Sequence, residues 1–291
     1  MSESRASRLP FPNPGRFRLV AVDIDGTLAG SDGRVTSRTV AALGRAEAAG
    51  LTIVLVTGRA YPSALEVWRG AGLRGPMITC GGALTLEPPR LTVLDVHHLR
   101  NAVATQLVRL GQDLGLRVSL WTEAAIWITR EDRFAALLRD LHRSGAVSME
   151  VRRLEAEASA PFPFGTSQAI KGMLGGEPDR LDRLTLGDFV GLAGATVARS
   201  MPEFFDVSPE GASKHEALSA VLRRLDVRPD EVIAIGDGDN DLGMLRMAGL
   251  AVAPSNAMAG PLAIADVVIG HHDREAVADF LDSLGPDVGR S

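Results

Sequence analysis

A strand-like apolar run that ends in two carboxylates constrains this chain more than any other feature. Phe17-Arg18-Leu19-Val20-Ala21-Val22 reads as a buried β-strand. It leads directly into Asp23-Ile24-Asp25-Gly26-Thr27, two acids one residue apart and then a glycine that permits a sharp turn. In an open α/β sheet, ligands bind outside the carboxyl ends of the strands. Paired acids at such a position repel one another unless a cation holds them, and Mg²⁺ is the usual candidate. Taken alone, the stretch also reads as a polar turn after a strand, where Asp and Gly are common.

Three further segments follow in order. The strand-like Leu51-Thr52-Ile53-Val54-Leu55-Val56 leads into Thr57-Gly58-Arg59. Lys214 sits at the start of a helical pattern, Ser213-Lys214-His215-Glu216-Ala217-Leu218, within a helix expected over 213–225. The strand-like Val232-Ile233-Ala234-Ile235 leads into Gly236-Asp237-Gly238-Asp239-Asn240-Asp241. Around them the chain alternates strand and helix. Thr36 is a plausible N-cap for a helix over 37–49, closed by Gly50. A helix over 62–69 and a strand over 77–79 come next. This βαβαβ series opens a doubly wound α/β sheet of Rossmann-like type.

After Gly81-Gly82 the pattern changes to short alternating stretches over 83–86, 91–96, 117–121, 125–129, 150–154 and 169–174. Helices are expected over 101–114, 133–141 and 179–186, a loop over 158–165, and a hairpin over 195–200 and 203–207. From Lys214 the βα alternation resumes, with a helix over 240–247 and a last helix over 274–284. The expected organisation is a disordered tail over 1–16, a core over 17–82 and 209–291, and an inserted α+β cap over 83–208. Gly81-Gly82 and Ser208-Pro209-Glu210-Gly211 are natural hinges.

Composition narrows the function classes. The 291 residues suit about two domains. Lys and Arg number 31 against 36 Asp and Glu, interspersed, so no nucleic-acid surface is expected. The single cysteine, Cys80, excludes an internal disulfide and fits a reducing cytosol, hence a cytoplasmic protein. No apolar run reaches membrane-spanning length, and residues 1–16 lack the apolar stretch of a secretory signal.

The four motifs in this order resemble the haloacid dehalogenase (HAD) superfamily of aspartate-nucleophile phosphohydrolases. The long insertion between Thr57 and Lys214 is similar to the Cof-type subfamily of sugar-phosphate and cofactor phosphatases. Asp23 ends the strand and is held rigidly, so it suits a nucleophile, and Asp25 on the turn suits a general acid and then base. The resemblance implies the same roles, with the Asp25 backbone carbonyl on the metal. Asp237 follows a strand end and a Gly, so its carboxylate enters the same crevice as a Mg²⁺ ligand, with Asp241 as a close supporting acid. A calcium loop fails, since the twelfth position from Asp237 is Ala248 and the sixth is Leu242.

Thr57, the amide of Gly58 and, by the resemblance, Asn240 are expected on the phosphate. Lys214 neutralises both Asp23 and the phosphate. Asn256 corresponds to a loop Asn that supports the phosphate site in the family. Gly81, His215 and Ser255 depart from the residues usual there, which bears on substrate more than on reaction. Arg130, Lys171 and Arg199 are candidate contacts for an anionic substrate, with solvated charge as the plainer reading. Trp121 and Trp127 are expected in the cap core and Cys80 as a small buried apolar residue. His97-His98 and His271-His272 show no partner at metal-ligand spacing. The expected function is a Mg²⁺-dependent phosphatase acting on a small phosphorylated metabolite. A phosphomutase and a catalytically idle metabolite-phosphate-binding protein are the alternatives. Oligomeric state stays open.

Overall fold

The computed structural model describes residues 16–285 except 142, 145–146 and 155–167. The expected tail before Arg16 and the expected loop over 158–165 lie outside the described residues. The chain divides into two compact units. The first holds 16–56, Val67–Pro76 and 218–285; the second holds Thr57–Glu66 and the described part of Met77–Ala217.

The first unit opens with β1 (Leu19–Val22), α1 (Ser37–Ala48) and β2 (Thr52–Val56). All four residues of β1 are buried, as an apolar run covered on both faces requires. Helix α1 starts where Thr36 accepts a hydrogen bond from the Thr39 amide, and it buries Ala42, Leu43 and Ala46. It stops at Gly50, whose φ of +106° ends the right-handed path.

Helix α2 (Tyr61–Gly70) carries the chain from the second unit into the first. In the second unit, β3 (Met77–Thr79), β4 (Leu84–Glu87) and β5 (Thr92–Val96) form an antiparallel ladder. Next come α3 (Asn101–Asp113), β6 (Arg117–Trp121), β7 (Ala125–Ile128), α4 (Arg133–Leu141), β8 (Arg143–Ser144), β9 (Val147–Ser148) and β10 (Glu150–Arg153). They are followed by β11 (Lys171–Gly175), α5 (Pro178–Leu181), β12 (Ala195–Met201) and β13 (Phe204–Pro209).

Six of these strands form one sheet in the order β10-β7-β6-β11-β13-β12. One face buries Leu120, Leu174 and Val207 under α3 residues Val103 and Leu107. Gly172 makes this possible, because a Cβ there would collide with Leu107. The other face, with Trp121, Ile126, Ile128, Met173 and Phe204, shares a core with Ala60, Cys80 and Leu84. Each such buried large side chain contributes about 1.5–3 kcal/mol. That shared core is why Thr57–Glu66 belongs with this unit.

The expected helix over 179–186 is shorter. It ends at Leu181, and a separate 3₁₀ turn spans Leu186–Leu192. Asp188 accepts hydrogen bonds from the Thr185 amide (2.7 Å) and hydroxyl (2.9 Å), which starts a new turn rather than extending the old helix.

Helix α6 (Lys214–Leu225) returns the chain to the first unit. There β14 (Val232–Ile235), α7 (Leu242–Met247), β15 (Leu250–Pro254), α8 (Ala259–Ile264), β16 (Val267–Ile269) and α9 (Ala276–Ser283) follow. The first unit's strands lie parallel in the order β16-β15-β14-β1-β2. From β1 the chain steps outward to β2; from β14 it steps outward the other way. The order therefore reverses between β1 and β14, and such a switch point opens a crevice at the strand ends. This is the expected doubly wound α/β core. Residues 239–241 form a 3₁₀ turn before α7, so that helix starts two residues later than expected. Helix α8, with Gly260 and Pro261 in its first turn, was hidden by breaker residues.

Candidate active site

The register of the switch point fixes the first carboxylates. Val22 of β1 pairs with Ile235 of β14, so Asp23 and Gly236-Asp237 leave the sheet side by side. The Asp23 amide donates to the Ile235 carbonyl (3.0 Å) and continues the ladder by one residue. The chain then turns on Ile24, whose carbonyl accepts from the amides of Leu28 (2.9 Å) and Ala29 (2.7 Å). Gly26 has φ of +75°, and a Cβ on it would lie 2.7 Å from Asp237 Cγ. Thr27 donates its hydroxyl to Asp237 Oδ1 at 2.8 Å.

Asp241 builds the other wall. Its Oδ2 accepts from the amides of Asp237 (3.1 Å) and Gly238 (2.9 Å), and the residue is fully buried. A side chain at Gly236 would meet it, with Cβ 2.5 Å from Asp241 Cγ.

Carboxylate oxygens of Asp23, Asp237 and Asp241 all lie within 4.8 Å of one another. Two unit charges at that separation repel by about 3–4 kcal/mol at an effective dielectric near 20. Asp23 and Asp241 are buried and Asp237 half-buried, so water screens them poorly. A set of oxygen donors only, close and negative, fits a hard divalent cation such as Mg²⁺ and offers nothing to a soft one.

Asp25 stands exposed on the turn and is not one of the trio. Asn240 is exposed as well. Asn256 ties two segments: its amide donates to the Gly26 carbonyl (2.8 Å), and its Oδ1 accepts from the His272 amide (3.0 Å). The His272 ring sits 2.7 Å from the Ala29 carbonyl, so Nδ1 carries the proton there. This supporting role of His272 left no signal in the sequence.

The expectation that His271-His272 lacks a partner is corrected. Asp273 joins them, with ligand atoms within 4.8 Å. These groups already serve the fold, since Asp273 accepts from Ser31 N–H (2.7 Å) and hydroxyl (2.8 Å).

Thr57, Gly58 and Lys214 belong to the second unit. Thr57 is buried; its amide donates to Ile78 O (2.9 Å) and its Oγ1 accepts from the Arg59 amide (3.1 Å). Lys214 opens α6 and is only 2 % exposed, although a cation is disfavoured at a helix start. Burying an ammonium is costly unless anions meet it. Gly82, with φ of +103°, lies so close that a Cβ would be 2.9 Å from the Lys214 amide. The sequence marks Gly81-Gly82 as a hinge; the close approach is what Gly82 permits.

Cys80 is buried, and burial pushes its thiol up to about 11. Trp121 is buried in a core of the six-stranded sheet, and Trp127 packs at the edge of the α3 core. Arg199 is ion-paired with Asp182 (3.0 Å), and Arg130 is exposed. Lys171 is not a solvated charge: it is 4 % exposed and ion-paired with Asp206 at 2.8 Å.

A family model described as haloacid dehalogenase-like hydrolase matches residues 20–281. The chain belongs to the haloacid dehalogenase-like hydrolase family. Among curated relatives of this hydrolase, the HMP-PP phosphatase of Serratia proteamaculans is 30% identical, over 91% of this chain and 94% of that protein. The chloroplastic endoribonuclease YBEY of Arabidopsis thaliana is 27% identical over 91% of this chain, which spans 46% of that longer protein. A solved haloacid dehalogenase-like hydrolase from Bacteroides thetaiotaomicron superposes with a TM-score of 0.80 at 25% identity, over 92% of this chain and 100% of that one.

Proposed function

We propose that this hydrolase is a Mg²⁺-dependent phosphatase that cleaves phosphate monoesters of small metabolites, sugar phosphates or similar, through an aspartyl-phosphate on Asp23. The observation that carries the reading is the convergence of Asp23, Asp237 and Asp241 at the sheet's switch point. Family membership and the relative named as an HMP-PP phosphatase support it.

Asp23 attacks phosphorus in line, and the bond from phosphorus to the leaving oxygen breaks. Asp25 gives that oxygen a proton. The same carboxylate then takes a proton from a water that attacks the aspartyl-phosphate, releasing inorganic phosphate and the Asp23 carboxylate. The exposure of Asp25 suits a group that must exchange protons twice. Thr57, the Gly58 amide, Asn240 and Lys214 hold the phosphoryl oxygens in this reading. Asp23, the Asp25 carbonyl and Asp237 would hold Mg²⁺, with Asp241 behind them. When bound, the cation supplies positive charge against the phosphoryl oxygens.

Residues 17–82 and 209–291 act as the phosphatase core and 83–208 as the cap that reads the organic part. A cytoplasmic location fits the single buried cysteine. No helix among the described residues is long and apolar enough to cross a membrane.

Phosphate release from a generic aryl phosphate tests the reading. Release should require Mg²⁺, stop in excess chelator and return when Mg²⁺ is restored. Full activity in excess chelator contradicts it. Stoichiometric transfer to a sugar without phosphate release would instead indicate a mutase.

A further inference from the structure

Lys171 is a buried cation beside an apolar cluster. It opens β11, opposite Trp121 on β6, on the side of the sheet that carries Met173, Ile126 and Phe204. An ion pair there is costly, since burying both charges forfeits their hydration. The side chain reaches three groups. Its Nζ is 2.8 Å from Asp206 Oδ2, donates to the Gly58 carbonyl at 3.2 Å, and lies 5.1 Å from the centre of the Trp121 ring. The ammonium has three N–H donors, and these three partners use its charge inside the protein.

Gly58 sits in the middle of the Thr57-Gly58-Arg59 turn. It has no side chain, so its torsions are held only by whatever holds the peptide planes on either side. The plane before it is tied by the Gly81 amide, which donates to the Thr57 carbonyl at 3.0 Å. The plane after it is tied by the Arg59 amide on Thr57 Oγ1 and by Lys171 on the Gly58 carbonyl. The Arg59 carbonyl in turn accepts from the Cys80 amide at 2.8 Å. Among the described residues, no acceptor takes the Gly58 N–H, and Gly58 is partly exposed.

We propose that Lys171 is a positioning residue, which clamps the Gly58 carbonyl so that the turn presents its remaining amide to the phosphoryl group. The role rests on the phosphatase reading above. It sets Lys171 apart from the residues that read the organic part of the substrate: its loss harms every phosphate ester alike. Asp206 holds the ammonium in place, and Trp121 packs against it.

The test uses the full chain, Lys171→Met and the double variant Lys171→Met with Asp206→Asn. The double variant removes both charges and guards against a loss that is only misfolding. Three quantities are read: amide exchange over 57–59 without substrate, kcat/KM for an aryl phosphate and for the best metabolite ester, and the Kd of inorganic phosphate with Mg²⁺. Exchange should speed up about tenfold in both variants. The specificity constant should fall roughly 10- to 100-fold by the same factor for both esters, with phosphate bound more weakly. The melting temperature of the double variant should stay near wild type while its activity stays low.

Unchanged exchange over 57–59 overturns the clamp. So does a loss confined to the metabolite ester, which would make Lys171 a specificity residue. If exchange speeds up but the wild type neither hydrolyses any ester nor binds phosphate, the clamp on the turn stands and the phosphatase reading fails.

Discussion

At the scale of single residues, the site depends on places where a side chain is missing as much as on the acids. Gly26 combines a φ of +75° with a position where any Cβ would press on Asp237. Gly26→Ala should cost about 1–2 kcal/mol for the backbone alone. It should also displace Asp237, so metal-dependent turnover should fall far more than stability does. Comparing kcat with the unfolding midpoint checks this; equal, modest effects on both would show that Gly26 serves only the turn. Cys80 gives a second residue-scale prediction. Burial raises its thiol to about 11, so almost no thiolate exists at neutral pH. Thiol-alkylating reagents should label the unfolded chain and spare the folded one. Asp23 and Asp237 were legible because each comes at the end of a short apolar run that reads as a strand. Gly82 was legible as a glycine but not as a contact, since its crowding comes from Ser213 and Lys214, more than a hundred residues away in sequence.

At the scale of elements, hydrophobic runs located most strands to within a residue or two but not the two-residue β8 and β9, and Thr36 located the start of α1. The misses have two causes. Helices α5 and α8 are 4 and 6 residues long, too short for a helical period to show. The 3₁₀ turn at Leu186–Leu192 is set by a side chain, Asp188, that composition alone does not mark. The turn after β1 is tied to the far end of the chain by Ser31 and Asp273. The Ser31 amide, then its hydroxyl, hold the Asp273 carboxyl below its ordinary value of 3.8; His271 and His272 act in the same direction. A carboxyl lowered on folding adds stability above its unfolded value and loses it as pH falls through its folded value. Asp273→Ala should therefore lower the melting temperature slightly at neutral pH, and the difference from wild type should vanish well below pH 3.8. A difference that grows on acidification would contradict the link.

At the scale of the whole molecule, the cluster of acids was readable and the pairing of the insertion's charges was not. The proposed catalytic acids Asp23 and Asp25 lie in a short motif at a strand end, where local pattern marks them, while Lys214 opens a helix. The insertion presents its charges through tertiary pairing. Lys171, a nondescript lysine in the sequence, is fixed by residues 113 and 35 positions away, Gly58 and Asp206. Pairings of this kind leave no periodic trace in the sequence. The central claim is that Asp23 carries the phosphoryl group between two half-reactions. The direct measurement mixes an aryl phosphate bearing a radioactive phosphoryl group with the Asp25→Asn variant and quenches in acid. A good leaving group needs little proton donation, so the first step should proceed while the second, which needs a base, should stall. Label should then accumulate on the protein, be released by hydroxylamine, map to the peptide containing Asp23, and be absent when Asp23 is also replaced by Asn. Phosphate release without protein-bound label at any time, or label that survives the loss of Asp23, would contradict the account.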